Sequence, residues 1–189
     1  MNDTSTSRTD WGRIAKRIRV PLGFVFAALY LWLAQPTWTS IGVGAAVAAV
    51  GVWIRAVASG HVKKNEELAT TGPYAYTRNP LYLGSIVIAI GFCIAALNLW
   101  IAIAIVGMFV AIYVPVIRGE EAYLSAHFPE YAAYASRVPR LFPRLRAAYP
   151  EGGGEFSRAL YMKHREYNAC MGALAVVAAL IVKLLWIVR

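Results

Sequence analysis

Charged side chains and cysteines are scarce in this chain of 189 residues. Charged residues make up 15% of it and broadly hydrophobic ones 59%, with a mean hydropathy of +0.51. So little charge excludes an intrinsically disordered chain and does not suit a soluble domain of this length. The two cysteines, Cys93 and Cys170, lie in separate apolar runs and match neither a disulfide framework nor the ligand spacing of a zinc site. We therefore expect no resident metal.

The hydrophobic residues fall into runs that approach membrane-spanning length. The first run follows basic residues, as in a signal peptide, but Ala34-Gln35-Pro36 offers no small-x-small cleavage site, so we predict a span there. The fold class predicted is an all-α integral membrane protein with about five transmembrane helices and a cofactor pocket at the cytoplasmic face. The predicted spans are 20–35, 38–58, 80–97, 99–117 and 169–186.

This pattern divides the chain into three parts. Residues 1–19 form a basic N-terminal tail, and 20–147 form a four-helix transmembrane core. Residues 148–189 hold a linker with a glycine hinge at 152–154, an amphipathic segment and the fifth span. No internal repeat is evident.

Acidic residues number only ten against 19 Lys and Arg, and both signs are confined to alternate segments. Seventeen of the basic residues, and all the acidic ones, lie in or beside the N-terminal tail and the two long loops. This positive-inside pattern predicts that the tail and both loops are cytoplasmic. Because topology already accounts for the net charge of +9, the expected partner is the lipid bilayer and not nucleic acid.

Single residues within the predicted spans carry further expectations. Gly42, Gly44 and Gly51 would let the second span approach a neighbouring helix closely. Arg55 lies at the inner end of that span, either as a cation that reaches the interface or as a ligand for a carboxylate or phosphate. Lys183 in the last span is expected to extend outward to the interface.

The stretch from Gly72 to Gly84 reads G-P-Y-A-Y-T-R-N-P-L-Y-L-G and leads a polar loop into the third predicted span. Asn79-Pro80 is a favourable helix start, because Asn can cap the first free amides and Pro at the first helical position loses no hydrogen bond. Such a start can also hold an anion. Arg78 and the nearby tyrosines suit a ligand site.

A second polar cluster begins with Arg118-Gly119-Glu120-Glu121 at the end of the fourth predicted span. Only Asn98 interrupts the apolar pattern between the third and fourth spans, which predicts a tight antiparallel hairpin. The two polar clusters should therefore be neighbours in space. Consecutive glutamates point about 100° apart on a helix, so only one of the pair is expected to enter a pocket.

Together the two clusters resemble the isoprenylcysteine carboxyl methyltransferase family, whose general architecture phospholipid methyltransferases share. The resemblance rests on G-P-Y-x-x-x-R-[HN]-P-x-Y-x-G, a hydrophobic hairpin, and E-E-x-x-L-x-x-x-F-x-x-Y-x-x-Y-x-x-x-V-x-R, and it covers about residues 50–146. It implies S-adenosylmethionine bound in the membrane-embedded core. The implied cofactor contacts, carried over by position, are Leu68, Tyr74, Asn79, Pro80, Leu81, Tyr82 and Glu120, with Arg78 and Glu121 as further members of the motifs.

The chemistry of these residues suits such a cofactor. A helix start or Arg78 can hold its carboxylate, Glu120 can accept from its ammonium and ribose hydroxyls, and a tyrosine face can hold its sulfonium. Many members of the family have His where this chain has Asn79, and Asn cannot titrate. Methyl transfer to a carboxylate needs no base, because that nucleophile is already ionised at neutral pH.

Asn79 therefore favours carboxyl O-methylation of an isoprenylcysteine-like or other lipid acid. Arg118, and Arg55 after it, are the candidates for steering the acceptor carboxylate. The alternatives are N-methylation of a phospholipid or amine, a reductase that uses NADPH on a similar scaffold, and a non-catalytic lipid-binding membrane protein. The acceptor is expected to be a lipophilic small molecule or a prenylated group, and the sequence predicts no oligomeric state.

Overall fold

The computed structural model describes residues 25–63, 66–149 and 154–187, and in these ranges the chain forms helices and no strand. The predicted basic tail, the start of the first predicted span and two of the three hinge glycines lie outside the described residues. The elements in chain order are α1 (25–33), α2 (Trp38–Ser59), a 3₁₀ turn (Gly72–Ala75), α3 (Pro80–Ala96), α4 (Leu99–His127), α5 (Tyr131–Arg137), α6 (Arg158–Lys163) and α7 (Tyr167–Ile187).

Three of these helices, α2, α4 and α7, are long and apolar enough to cross a membrane. Helix α3 is apolar too, but its 17 residues span only about 25 Å. The prediction of an all-α integral membrane protein is confirmed. The number of five spans stays a prediction, because α3 is short and α1 is described only from residue 25 onward.

Helices α2 and α3 approach each other most closely, and glycines on both make this possible. A Cβ on Gly51 would lie 2.6 Å from the carbonyl oxygen of Gly84, and one on Gly91 would lie 2.5 Å from that of Gly44. Only hydrogen fits at these positions. The prediction for Gly42 was wrong, because in the described part of the chain nothing lies within 4 Å of the Cβ position there.

The tight turn predicted between the third and fourth spans is confirmed. Leu97 ends α3 in the left-handed conformation, with φ 48°. Asn98 then begins α4, since its Oδ1 accepts hydrogen bonds from the amides of Trp100 (2.9 Å) and Ile101 (3.3 Å). Its Nδ2 donates to the carbonyl of Leu33, which joins this turn to the end of α1. The end of α4 can thus return to the level at which α3 begins.

Lys183 has a role that the sequence did not predict. Its ammonium donates to the carbonyls of Leu31 (2.5 Å), Trp32 (2.9 Å) and Ala34 (2.6 Å) at the end of α1. Carbonyls in the last turn of a helix have no partner within that helix, so a cation there satisfies them and opposes the helix dipole. Lys183 therefore joins α7 to the end of α1, and its reach to the interface stays a prediction.

The glycine contacts predict how substitutions along α2 differ. Gly51→Ala should lower the free energy of unfolding by about 1–3 kcal/mol, because the added methyl group would overlap the backbone of α3. Gly42→Ala on the same helix should be neutral or stabilising by up to about 1 kcal/mol, because only helix propensity changes. Reversible unfolding in mixed SDS micelles measures both, and equal effects would contradict the packing described.

Candidate active site

A cavity of about 630 Å³ opens where the end of α2, the start of α3 and the last turns of α4 meet. Its volume is within the range of small-molecule sites. Residues that the sequence singled out line most of it, together with α5 and the residue before α7. The polar and aromatic lining residues are Arg55, Glu67, Tyr74, Arg78, Asn79, Tyr82, Glu120, Glu121, Tyr123, Tyr131, Tyr134 and Glu166, and Leu68, Pro80 and Leu81 also line it.

Asn79 precedes α3 as predicted, but its side chain does not cap the helix. Its Nδ2 donates instead to the carbonyl of Arg140 at 2.9 Å, and no side chain of the described residues supplies the cap. The first hydrogen bond into the helix runs from the amide of Leu83 to the carbonyl of Asn79. The amides of Leu81 and Tyr82 precede that bond and therefore have no partner within the helix. Both residues line the cavity.

Asn79 contacts Arg140 because residues 139–148, here called the strap, lie along the loop 75–79. Three backbone amides donate across the two segments, Arg78 to Pro139 (2.9 Å), Arg144 to Tyr76 (3.0 Å) and Ala148 to Ala75 (2.9 Å). The hydroxyl of Thr77 donates to the carbonyl of Leu141 at 3.0 Å. The strap therefore fixes the loop that carries the first motif.

Arg78 joins the two polar clusters, which confirms that they are neighbours. Its Nη1 lies 3.1 Å from the hydroxyl of Tyr131 and 3.4 Å from Oε1 of Glu121. Glu121 also holds Arg140, with Nε to Oε1 at 3.0 Å and Nη2 to Oε2 at 2.6 Å. The Nε atom of Arg78 is buried and has no hydrogen-bond partner among the described residues. Both Glu120 and Glu121 line the cavity, so the expectation that only one would enter it was wrong.

Tyr74 and Tyr134 form a buried pair on the loop side of the cavity. The hydroxyl of Tyr134 donates to the carbonyl of Tyr74 at 2.8 Å. Burial raises the pKa of Tyr74 far above the ordinary phenol value, and the nearby Tyr134 and Glu120 add to this effect. Burial raises the pKa of Tyr134 as well, although Arg78 opposes it. Both phenols thus stay neutral at physiological pH and can act only as hydrogen-bonding groups and apolar faces.

Arg55 is held by Glu166, a residue that the sequence analysis did not single out. The guanidinium binds this carboxylate through Nε (3.0 Å to Oε2) and Nη2 (2.9 Å to Oε1), and Nη1 donates to Ser85 Oγ (2.6 Å) and to the carbonyl of Leu81 (3.2 Å). The side chains of Arg55 and Glu166 are only 22% and 12% exposed. The sequence feature that could have drawn attention to Glu166 is its position as an acidic residue just before the last apolar run.

Arg118, the first candidate for steering an acceptor, is exposed and is not among the described residues that line the cavity. The structure therefore brings together Arg55, Arg78 and the two motif glutamates, and leaves Arg118 outside. Arg55 is the candidate arginine that lies at the cavity.

The profile of the phospholipid methyltransferase family matches residues 22–131, more than half of the chain. The chain belongs to the phospholipid methyltransferase family. The matched region contains α2, α3 and most of the site, including the motif glutamates Glu120 and Glu121 on α4, and it ends before α6 and α7. Glu166 is therefore an addition to the cavity from outside the part that defines the family.

Two similar proteins are named for resistance to metals. The chain is 35% identical over 136 residues to the cobalt-zinc-cadmium resistance protein CzcN of Cupriavidus metallidurans, which covers 67% of this chain and 62% of that protein. It is 36% identical over 135 residues to the nickel-cobalt-cadmium resistance protein NccN of Alcaligenes xylosoxydans xylosoxydans, with 68% and 62% covered. The chain thus spans about three fifths of the length of these relatives. No solved structure matches it.

The Arg55–Glu166 pair predicts that α7 depends on the cavity for part of its stability. Glu166→Ala should lower the free energy of unfolding by about 1–3 kcal/mol, because it leaves a half-buried guanidinium without its carboxylate. Glu155→Ala, at an exposed acidic residue before α6, is the matched control and should change little. Unfolding in mixed SDS micelles measures both, and equal stability of the two variants would show that the pair contributes nothing.

Proposed function

We propose that this protein transfers a methyl group from S-adenosylmethionine to a lipophilic acceptor. The observation that carries the proposal is the cavity in which an uncapped helix start and a guanidinium face free carboxylate oxygens. A zwitterionic ligand with an added positive charge needs both kinds of partner in one place. Family membership supports methyl transfer as the reaction.

The side of the cavity that suits the cofactor carboxylate is formed by Arg78 and the start of α3. A buried donor without a partner costs about 1–3 kcal/mol, so the Nε of Arg78 has much to gain from a ligand oxygen. Leu81 and Tyr82, the residues at the start of α3, line the same cavity, and the helix dipole favours negative charge at such a start. These donors fit a carboxylate.

The side that suits positive charge is formed by Glu120 and the tyrosines. Within the described residues no basic side chain pairs with Glu120, so its oxygens can accept from an ammonium or a ribose hydroxyl. Tyr74 and Tyr82 present aromatic faces to the same cavity, and such faces attract a sulfonium. The residues present therefore fit the cofactor.

Aromatic rings continue from the cavity along the apolar part of the helices. Tyr82 meets Tyr113 edge to face at 5.4 Å, and Tyr113 stacks on Phe109 at 4.5 Å. We propose that the acceptor approaches from the bilayer along these rings, with the cofactor arriving from the cytoplasmic side that the basic loops predict. The rings give the lipophilic part of the acceptor a surface close to the polar cavity.

The chain contributes binding and orientation to this reaction. When bound, the cofactor supplies a methyl group on a positively charged sulfur, and the protein aligns acceptor and methyl group and excludes water. The side-chain Nδ2 of Asn79 already donates to the carbonyl of Arg140, so this position holds the strap and moves no proton. That supports an acceptor that is already ionised, and we propose carboxyl O-methylation of a lipid acid.

One observation favours a second acceptor class, a lipid amine. Both arginines at the cavity are paired with carboxylates of the chain, Arg55 with Glu166 and Arg78 with Glu121. Among the described residues, Glu67 pairs with Lys63 and Glu121 also pairs with Arg140, so Glu120 is the lining carboxylate left for a ligand, and it is better matched to a cationic or neutral amine than to a second carboxylate. N-methylation of a phospholipid or other amine is thus the competing proposal.

The names of the relatives do not point to metal binding here. In the part of the chain that the structure describes, no group of three or more His, Cys, Asp or Glu side chains could hold a metal ion. The proposed methyl transfer rests on the family and on the lining of the cavity, and not on these names. The NADPH-dependent reductase and the non-catalytic lipid-binding protein remain as rivals.

Substitutions on the side of the cavity that suits positive charge test the cofactor site. Glu120→Ala or Tyr82→Ala should weaken binding of S-adenosylmethionine by about tenfold to a hundredfold, because charged hydrogen bonds and cation–π contacts are lost. Glu130→Ala, at an exposed residue just before α5, should bind as the wild type does. Calorimetric titration in detergent, with melting temperatures as the fold control, measures the effect. Unchanged affinity in both cavity variants would overturn the assignment.

The acceptor class can be read from the chemistry of the product. Purified protein is given methyl-labelled cofactor with a prenylcysteine or fatty acid, and separately with phosphatidylethanolamine. A methyl ester releases its label as methanol in alkali, whereas an N-methyl group keeps it. We expect base-labile label, and base-stable label would select the amine. No label with either acceptor, together with a thermal shift by NADPH alone, would select the reductase.

A further inference from the structure

The strap carries large apolar side chains that face away from the protein. Leu145 is 99% exposed and Phe142 is 81% exposed, although neither belongs to a helix that crosses the membrane. Such exposure is unfavourable in water and marks a surface that meets another apolar medium. The strap is not loose, because its backbone is bonded to the loop 75–79. These two side chains are therefore held outward by an ordered segment.

Positive charge surrounds these apolar side chains. Arg137, Arg140, Arg144 and Arg146 fall within ten residues, and the sequence from 131 to 149 contains no acidic residue. All four arginines are exposed. Arg140 is paired with Glu121, and Arg137 lies over the ring of Tyr149. Arg144 donates through Nη1 to the carbonyl of Arg137 at 2.7 Å, which leaves its Nη2 and Nε without a hydrogen-bond partner among the described residues. Basic and large apolar residues in alternation are the composition of segments that lie in a membrane interface. The charge of this surface complements anionic headgroups.

The position of the strap along the membrane normal agrees with that composition. Asn79, at the start of α3, donates to the carbonyl of Arg140 in the strap. Helix α3 has 17 residues and is about 25 Å long, less than the roughly 30 Å of a bilayer core. As the third predicted span, α3 then has its first residue near a headgroup region. The strap, bonded directly beside it, lies at the same level.

We propose that the outer face of the strap docks on an anionic lipid surface. Phe142 and Leu145 enter the boundary of the acyl chains, and Arg144 and Arg146 contact the headgroups. Because the strap is bonded to the loop 75–79, lipid that holds the strap also stabilises the loop before α3. The docking itself depends on the membrane location and not on the proposed methyl transfer.

Hydrogen exchange of the full chain in nanodiscs tests this without any cofactor. Exchange of the amides of Arg144 and Ala148, and of Arg78 in the loop, is compared in phosphatidylcholine and in a 70:30 mixture with phosphatidylglycerol. We expect exchange about tenfold slower in the anionic mixture, since basic residues near such a surface are each attracted to it. Equal exchange in the two lipids would overturn the proposal.

Variants of the strap distinguish docking on anionic lipid from binding of a free phosphate or of another part of the chain. Arg144→Gln with Arg146→Gln should lose the difference between the lipids, and Phe142→Ser with Leu145→Ser should lose most of it. Arg158→Gln, at an exposed basic residue of α6, should keep it. Soluble glycerol phosphate added to phosphatidylcholine nanodiscs should not slow exchange. If it does, or if exchange is equally slow in lipid-free detergent, the strap binds a free phosphate or another part of the chain and the proposal fails.

Discussion

The close approach of α2 to α3 is the constraint on which the cavity depends. Arg55 leaves α2 and crosses α3 at Gly84, where a Cβ would lie 2.6 Å from its Cγ. Only because Gly84 lacks a side chain can the guanidinium reach Ser85 and the carbonyl of Leu81, which lie beside Gly84 on α3. Gly84, the last glycine of the first motif, therefore leaves the space in which the side chain of Arg55 passes α3. A substitution there would change the cavity even though Gly84 is not among the described residues that line it.

Ion pairs then join the remaining elements around that contact. Arg55 with Glu166 ties α2 to the start of α7, and Arg78 with Glu121 ties the loop before α3 to α4. Charges near a membrane are costly unless they are paired, so each pair is both a structural link and a condition for keeping charge in the cavity. The polar groups that these pairs do not occupy are the carboxylate of Glu120, the first amides of α3 and the Nε atom of Arg78, and a ligand in the cavity would have to bind to them.

Much of this architecture could be predicted from the sequence, because the signals are local. Apolar runs predicted helices, and the single polar residue Asn98 predicted the turn that aligns the two motifs. Contacts set by tertiary packing could not be predicted. In a helix that is apolar on every side, nothing local shows that Gly51 faces a neighbour while Gly42 does not. Glu166 likewise has no spacing pattern, since its partner is 111 residues away.

Asn79 shows how such a tertiary contact can reverse a local expectation. As a helix cap it would close the first amides of α3 and stabilise the helix by about 1 kcal/mol. Its side chain turns instead to the carbonyl of Arg140, so the helix begins without that cap. The cap is lost, but the amides of Leu81 and Tyr82 remain available at the cavity wall. A helix start that the sequence marks as well capped is thus left without its side-chain cap by the contact between Asn79 and the strap.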